Sequence, residues 1–290
     1  MQAIPPTSRP VKYLTDQGFW LACLAVATAA FNLYAVWNVL HDSDTVAVHG
    51  LFWGALGMLV WRRRQALVLE SGPVASLMGS LLLVTVILKC VQYYNFFTQL
   101  APLLCAFGLA LIASGFSGLK QYTKELLLMA VLVSTFLVEL LFAGQLQILS
   151  LFTARFSYMM LWYTGSDVVR QGTYIRLPTG AIDVYQGCSG FESMMQLLRL
   201  SVLFLFLFPT QAFQKVLVPV VGLILAFSVN GIRVALMALL VAANNQEAFK
   251  YWHEGDGSNL FSVVTMLLFG FFCRTFVLKD EDEDDLEAPS

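Results

Sequence analysis

The sequence predicts an all-α polytopic membrane protein, on three observations. The 290-residue chain is 58% hydrophobic and 12% charged, against roughly 25% charged residues in an ordinary soluble domain. Many of its apolar residues fall in unbroken runs of about 20, the length a helix needs to cross a hydrocarbon core. Charge is also sorted along the chain. Seven of the nineteen acidic residues lie between Asp280 and Glu287, which leaves seventeen basic residues against twelve acidic ones elsewhere, mostly at the ends of apolar runs. This composition argues against a soluble globular fold and against nucleic-acid binding.

Eight spans follow in order: 18–40, 46–61, 72–90, 96–119, 125–143, 189–208, 216–243 and 259–278. The first has a leader-like start, with Arg9 and Lys12 ahead of it and Ala27-Thr28-Ala29 in small-x-small form, but its apolar run continues to Leu40, so it reads as a span. The second is the shortest and ends at Arg62-Arg63-Arg64. Glu139 in the fifth reads as a protonated or paired helix contact. Arg9 and Lys12, Arg62 to Arg64, Lys120 and Lys124, Lys215, and Arg274 and Lys279 all fall on one side of an eight-span count. Short cytoplasmic loops are enriched in such residues, so the plasma membrane would be crossed with both termini cytoplasmic. Lys89 and Lys250 lie on the other side as a minority. Residues 1–279 form a single integral membrane domain in this reading, with a motif-bearing core at about 144–278, and 280–290 form an acidic disordered cytoplasmic tail.

The one long connection, 144–187, is external by the same count. Its part 149–163 is rich in aromatic residues and methionine with Arg155 in the middle, which suits a helix lying in the interface. Residues 173–185 then alternate, with Ile175 and Leu177 before Pro178-Thr179-Gly180 and Ile182 and Val184 after it, the pattern of a short β-hairpin.

The hairpin delivers the chain to Gly187-Cys188-Ser189-Gly190 and the sixth span. Cys23, Cys90, Cys105 and Cys273 sit in or beside apolar runs, where a free cysteine behaves as a small hydrophobe. Cys188 differs, because a helix N-terminus presents unpaired N–H groups and partial positive charge that favour thiolate. A tight glycine turn that merely contains cysteine is the structural alternative. In the seventh span Arg233 stands among apolar residues, where a buried charge marks a functional site by default. At about 1.5 Å per residue, counting from Val216 puts it roughly 26 Å across the core and counting from Ala243 about 15 Å deep, so neither leaves it at the cytoplasmic rim. Asn230 shares its helix face. His253 lies in the external connection after this span, and imidazole is the side chain suited to shuttling a proton near neutral pH. His41 and His49 form no comparable set.

A thiol, a guanidinium and an imidazole thus reach one membrane face through three consecutive elements. Cysteine with histidine is the minimum equipment for acyl transfer through a thioester, and arginine can stabilise the thiolate or the oxyanion. Together, Cys188-Ser189-Gly190 opening one span, Asn230 to Arg233 in the next, and His253-Glu254 followed by Gly255 and Gly257 resemble the exosortase/archaeosortase family of membrane cysteine transpeptidases. Arg170-Gln171-Gly172 and Leu177-Pro178 also look like that family, and residues 187–192 look closest to its cyanobacterial branch, the cyanoexosortases. The resemblance implies cleavage of exported proteins at a C-terminal sorting signal made of a Pro-Glu-Pro-type motif, a transmembrane helix and a basic tail. Cys188, Arg233 and His253 would be catalytic, the acyl-thioester would pass to an acceptor nucleophile, and membrane lipid would surround the enzyme. Two assignments stay open: Arg233 as charge stabiliser with His253 as proton shuttle, or Arg233 as thiolate activator with His253 binding the motif. Gly257 departs from the bulkier residue expected there.

Glu192, Gln196 and Arg199 follow the cysteine at spacings that would share its helix face, which predicts a wet channel for substrate or an internal polar pair. The letters Gly187-Cys188-Ser189-Gly190 also read as the nucleophile signature of a rhomboid-type serine protease, with Ser189 attacking and His253 as base. A transporter or assembly scaffold is a third reading, but no internal repeat supports it. No His, Cys and carboxylate group has metal-ligand spacing, so neither metal nor organic cofactor is expected.

Overall fold

The computed structural model describes residues 17–92, 96–142, 146–253 and 255–278. Its contacts divide the chain into two compact units, Met1–Phe136 and Leu137–Ser290. The acidic tail and the basic residues Arg9, Lys12 and Lys279 lie outside the described residues.

The first unit is helical: α1 Gln17–Leu40, α2 Ser43–Arg62, α3 Pro73–Gln92, α4 Phe96–Gly118, a 3-10 turn Leu119–Tyr122, and the part up to Phe136 of α5 Thr123–Phe142. Asp42 starts α2 by accepting from the backbone N–H groups of Asp44 at 3.2 Å and Thr45 at 3.0 Å, which satisfies two of the donors a helix start leaves open. Buried Asn32 of α1 bridges to α2, its Oδ1 lying 3.2 Å from His49 Nδ1 and accepting from Trp53 Nε1 at 3.1 Å. His49, read as incidental, is therefore half of a buried polar tie. The α3/α4 pair meets backbone to backbone. A Cβ at Gly79 would lie 2.6 Å from the Gly108 carbonyl oxygen, the close approach that small residues permit between membrane helices.

The arginine run after α2 has its own partners. Arg63 pairs with buried Glu125 and donates to the Gln121 carbonyl at 3.1 Å. Gly115 at φ 65° breaks the α4 ladder and packs against Ser71 and Gly72, so the predicted fourth span is not one unbroken helix. The Glu139 side chain lies outside what the structure describes.

The second unit contains α6 Leu146–Tyr163, strands β1 Val169–Gln171, β2 Tyr174–Leu177 and β3 Gly180–Asp183, a 3-10 turn Gln186–Cys188, α7 Phe191–Leu207, α8 Gln214–Ala242, α9 Gln246–His253, α10 Asp256–Cys273 and a π-helical end Arg274–Leu278. The strands form an antiparallel sheet in the order β1-β2-β3, with Arg170 opposite Ile175 and Ile175 opposite Ile182. The hairpin expected from alternation is β2/β3. The strand missed is β1, turned into β2 through Gly172 at φ 64°, and three residues are too few to show a period of two. Ile175, Leu177 and Val184 enter one core with Ala154 and Leu161 of α6 and Val234, Ala235 and Ala238 of α8.

Among the described residues six segments are long and apolar enough to cross a membrane: Gln17–Leu40, Ser43–Arg62, Pro73–Cys90, Phe97–Thr135, Gln214–Ala242 and Gly257–Leu278. The protein is an all-α polytopic membrane protein with one small sheet. The count differs from eight because Phe97–Thr135 takes in most of α4 and α5, and α7 has 17 residues. The helix expected at 149–163 is α6, which is outside the six and buries Ser150, Thr153, Ala154, Ser157 and Leu161 along one face.

Replacing Gly79 by Leu should force α3 and α4 apart. The expected result is a destabilisation of about 1–3 kcal/mol, from overpacking a close contact, seen as a lower thermal midpoint of the detergent-solubilised protein. Leu77→Ala, at a position 70% exposed, should leave the midpoint near its original value.

Candidate active site

Cys188 does not begin α7. It ends the preceding 3-10 turn, in which its N–H donates to the Tyr185 carbonyl at 2.9 Å, and α7 starts only at Phe191. Between them Gly190 takes φ 85°, a left-handed conformation that L side chains rarely adopt. That residue interrupts the helical phase. The shared-face argument linking Glu192, Gln196 and Arg199 to the cysteine therefore fails: Glu192 is exposed, while Gln196 and Arg199 are half-buried along α7. The channel predicted from that face loses its warrant.

The turn is gripped at two carbonyls. Asn230 of α8 donates from Nδ2 to the Cys188 carbonyl at 3.0 Å, and Thr153 of α6 donates to the Ser189 carbonyl at 2.8 Å. Ser157, one turn further along α6, donates to the Gly231 carbonyl of α8 at 2.8 Å and so ties the two supporting helices together. Gly231 is required by the same packing, since a Cβ there would lie 2.2 Å from the Phe156 ring. Thr153 and Ser157 were not singled out from sequence. Their only signal was polar residues four apart in an aromatic helix, which reads equally well as solvated surface.

Ser189 is wholly buried, donates to the Gln186 carbonyl at 2.6 Å and accepts from the Phe191 N–H at 3.3 Å. Its hydroxyl closes the turn ahead of α7. That engagement opposes the serine-nucleophile reading.

His253 is the last residue of a short helix rather than part of a loop. Asn245 accepts from the Ala248 N–H at 3.0 Å to start α9, and Ala248, Phe249, Trp252 and His253 form its inward face. Phe249, four residues before His253, stacks on the imidazole at 5.1 Å and 13°. His253 Nε2 then stands 3.7 Å from Cys188 Sγ. Arg233 of α8 donates from Nη2 to the His253 carbonyl at 2.8 Å, and its buried Nε has no hydrogen-bond partner among the described residues. Structure therefore brings Cys188, Arg233, His253 and Asn230 together. Glu254 lies outside the described residues. The departure at Gly257 has a local cause: a Cβ there would lie 2.8 Å from both the Tyr251 and Trp252 rings.

Burial pushes the Cys188 thiol up. Hydrogen bonding from the Tyr185 side chain and the Arg233 charge pull it back down, and Asp183 raises it. The left-handed Gly190 lies between the thiol and the start of α7 at Phe191, so Cys188 does not occupy the helix N-terminus expected from the sequence. Cys90, Cys105 and Cys273 are free and buried as expected, whereas Cys23 is exposed on α1. Among the described residues no three His, Cys, Asp or Glu side chains gather as a metal site.

A thiol, an imidazole and a guanidinium thus converge beside a small sheet in a polytopic membrane protein. The model of the transmembrane exosortase family matches residues 36–270, which takes in the sheet and all of these groups, and the chain belongs to that family. The protein is accordingly a multi-pass membrane transpeptidase or protease that acts on proteins bearing sorting signals. No curated protein and no solved structure matches the chain.

Two outcomes follow from the geometry. Gly190→Ala places a Cβ 2.7 Å from Asn230 Nδ2 at a positive φ, and it should lower the thermal midpoint by the equivalent of about 1–3 kcal/mol. Arg233→Gln removes a charge that favours thiolate, so alkylation of Cys188 should require higher pH in the variant than in the unsubstituted protein. Peptide mapping by mass spectrometry across a pH series reads this directly, and an unchanged or lower half-point would refute the electrostatic role.

Proposed function

We propose that the protein is a cysteine transpeptidase that cleaves C-terminal Pro-Glu-Pro-type sorting signals of exported proteins through an acyl-thioester on Cys188. The observation that carries this reading is the 3.7 Å approach of His253 Nε2 to Cys188 Sγ, with Arg233 bound to the His253 carbonyl. A thiol and a base at that separation are within reach of proton transfer, and such contacts commonly tighten when substrate binds.

In the proposed reaction His253 takes the thiol proton as Cys188 sulfur bonds to the scissile carbonyl carbon. The carbonyl electron pair moves to oxygen, where Arg233 offers charge and its unpartnered Nε–H as a donor. Collapse breaks the C–N bond, and the amine leaves with the proton from His253. The departing piece is the signal's transmembrane helix and basic tail, and an acceptor nucleophile resolves the thioester. Asn230 acts by holding the Cys188 carbonyl, which sets where the sulfur points.

The same reading places the enzyme in the plasma membrane with both termini cytoplasmic and the site at the external face, the arrangement in which basic residues collect inside and an exported substrate meets the thiol. Residues 1–279 then act as one transpeptidase domain, with 280–290 as a cytoplasmic tail.

The test uses cells making a tagged substrate with a Pro-Glu-Pro-type signal and matched levels of each variant. Shortening of the substrate should vanish with Cys188→Ala, fall about 10²-fold or more with His253→Ala, and persist with Ser189→Ala. Equal cleavage with and without the Cys188 thiol would end the proposal.

A further inference from the structure

β3 is an outer strand of the sheet, and among the described residues no strand lies beyond it. The bond from the Val184 N–H to the Thr173 carbonyl at 3.1 Å continues the β2/β3 register and fixes its phase. In an antiparallel ladder alternate residues turn both main-chain groups to the same neighbour. Gly180, Ile182 and Val184 therefore bond toward β2, while Ala181 and Asp183 turn their N–H and C=O groups outward. The opposite edge offers less, since by the same phase only Arg170 of the three residues of β1 faces outward there.

The outward edge of β3 is anchored, and it leads to the nucleophile. At its start Thr179 donates to the Ala242 carbonyl and Gly180 sits against Val241. Ile182 and, just past the strand, Val184 pack into the core shared with α6 and α8. Tyr185 is still extended at ψ 176°, and the next three residues are the turn that ends at Cys188. An extended peptide on this edge, at about 3.4 Å per residue, is carried to the turn that holds the sulfur.

The outer face of the sheet adds charge. Arg176 of β2 is the register partner of Ala181, so the two share a face, and both are exposed. On a strand added beside β3, the residue opposite Ala181 would stand two strand spacings from Arg176, about 10 Å, with only a methyl group between them. A carboxylate and a guanidinium on their stems span that gap. Asp183 is exposed on the same face and accepts from Thr173 Oγ1 at 2.7 Å. Its charge disfavours an acidic residue opposite itself, which selects the register at Ala181.

We propose that the outward edge of β3 binds the sorting signal as an added antiparallel strand, with main-chain bonds to Ala181 and the signal's acidic residue beside Arg176. This rests on the sorting-signal reading. Ala181 donates its N–H to the carbonyl of the acidic residue and accepts that residue's N–H. The flanking prolines lack an N–H and turn away from the edge, where none is needed. Strand addition takes affinity from main-chain bonds and specificity from side chains, here Arg176.

The experiment uses the full chain carrying Cys188→Ala in detergent, so that binding is read without cleavage. The probe is a fluorescent synthetic peptide with Pro-Glu-Pro, an apolar helix and a basic tail, and anisotropy gives its affinity. Ala181→Pro removes one outward N–H and no bond to β2, so it should weaken binding about tenfold with the thermal midpoint unchanged. Methylating the peptide's glutamate nitrogen removes the reciprocal bond and leaves the protein intact. It should also cost about tenfold, and little more when combined with Ala181→Pro, because both break one contact. Arg176→Glu should weaken the Pro-Glu-Pro peptide and favour a Pro-Arg-Pro peptide over it. Equal affinity for methylated and unmethylated peptides would overturn the strand addition, even if Ala181→Pro failed to fold. An unchanged preference in Arg176→Glu would overturn the charge contact. A peptide that the Cys188→Ala protein does not bind and the unsubstituted protein does not cleave would instead remove the sorting-signal reading, and the β3 site with it.

Discussion

Two hydrogen bonds to consecutive carbonyls, from Asn230 to Cys188 and from Thr153 to Ser189, hold the candidate site in place. The 3-10 turn Gln186–Cys188 has three residues and the left-handed Gly190 follows two residues later, so little local structure restrains the sulfur. Buried carbonyls without partners are costly, and donors from two separate helices satisfy these two while fixing the turn in space. The glycines follow from this constraint. At Gly190 a side chain would collide with Asn230, and at Gly187 it would collide with Tyr185, so the turn can be clamped only where both positions lack a Cβ.

The same two helices organise the rest of the site. Ser157 ties α6 to α8 at the Gly231 carbonyl, so Thr153 and Asn230 are donors on a joined pair rather than on independent supports. From α8, Arg233 then reaches past the turn to the backbone of His253. A guanidinium bound to that carbonyl sets the position of the histidine main chain, and the stack on Phe249 sets the plane of its ring. The sheet contributes from the other side, with Gly180 seated against Val241 and Thr179 donating to the Ala242 carbonyl near the end of α8.

Much of this arrangement was legible in the sequence, for identifiable reasons. Long apolar runs report helices whatever their packing, and the alternation from Ile175 to Val184 reported β2 and β3. The grouping of Cys188, Arg233 and His253 was legible because a charged residue in an apolar span and a cysteine between glycines are each improbable unless something requires them. What stayed hidden was decided by single backbone angles or by packing. Gly190 can be helical or left-handed, and the left-handed angle it takes breaks the helical continuation on which the face shared with Glu192, Gln196 and Arg199 depended. His253 looked like a loop residue because the eight residues of α9 are too few for a periodic signal to stand out. Thr153 and Ser157 were invisible because their value lies entirely in which carbonyls they meet.

A buried thiol paired with an imidazole raises the question of where the site's charge resides. Burial opposes ionisation of Cys188, while Arg233 and the Tyr185 hydrogen bond favour it. An unopposed arginine beside the sulfur would stabilise a permanent thiolate and, by lowering its basicity, blunt it as a nucleophile. Arg233 instead spends one donor on the His253 carbonyl, so part of its capacity is committed to holding the base, and its unpartnered Nε is left for charge that appears later. In the proposed mechanism that later charge is the oxyanion. A donor already in position then contributes more to the transition state than to the resting thiol, and only such a difference accelerates a reaction. The opposing influences on the sulfur are therefore consistent with a site that makes its charge during attack rather than storing it beforehand.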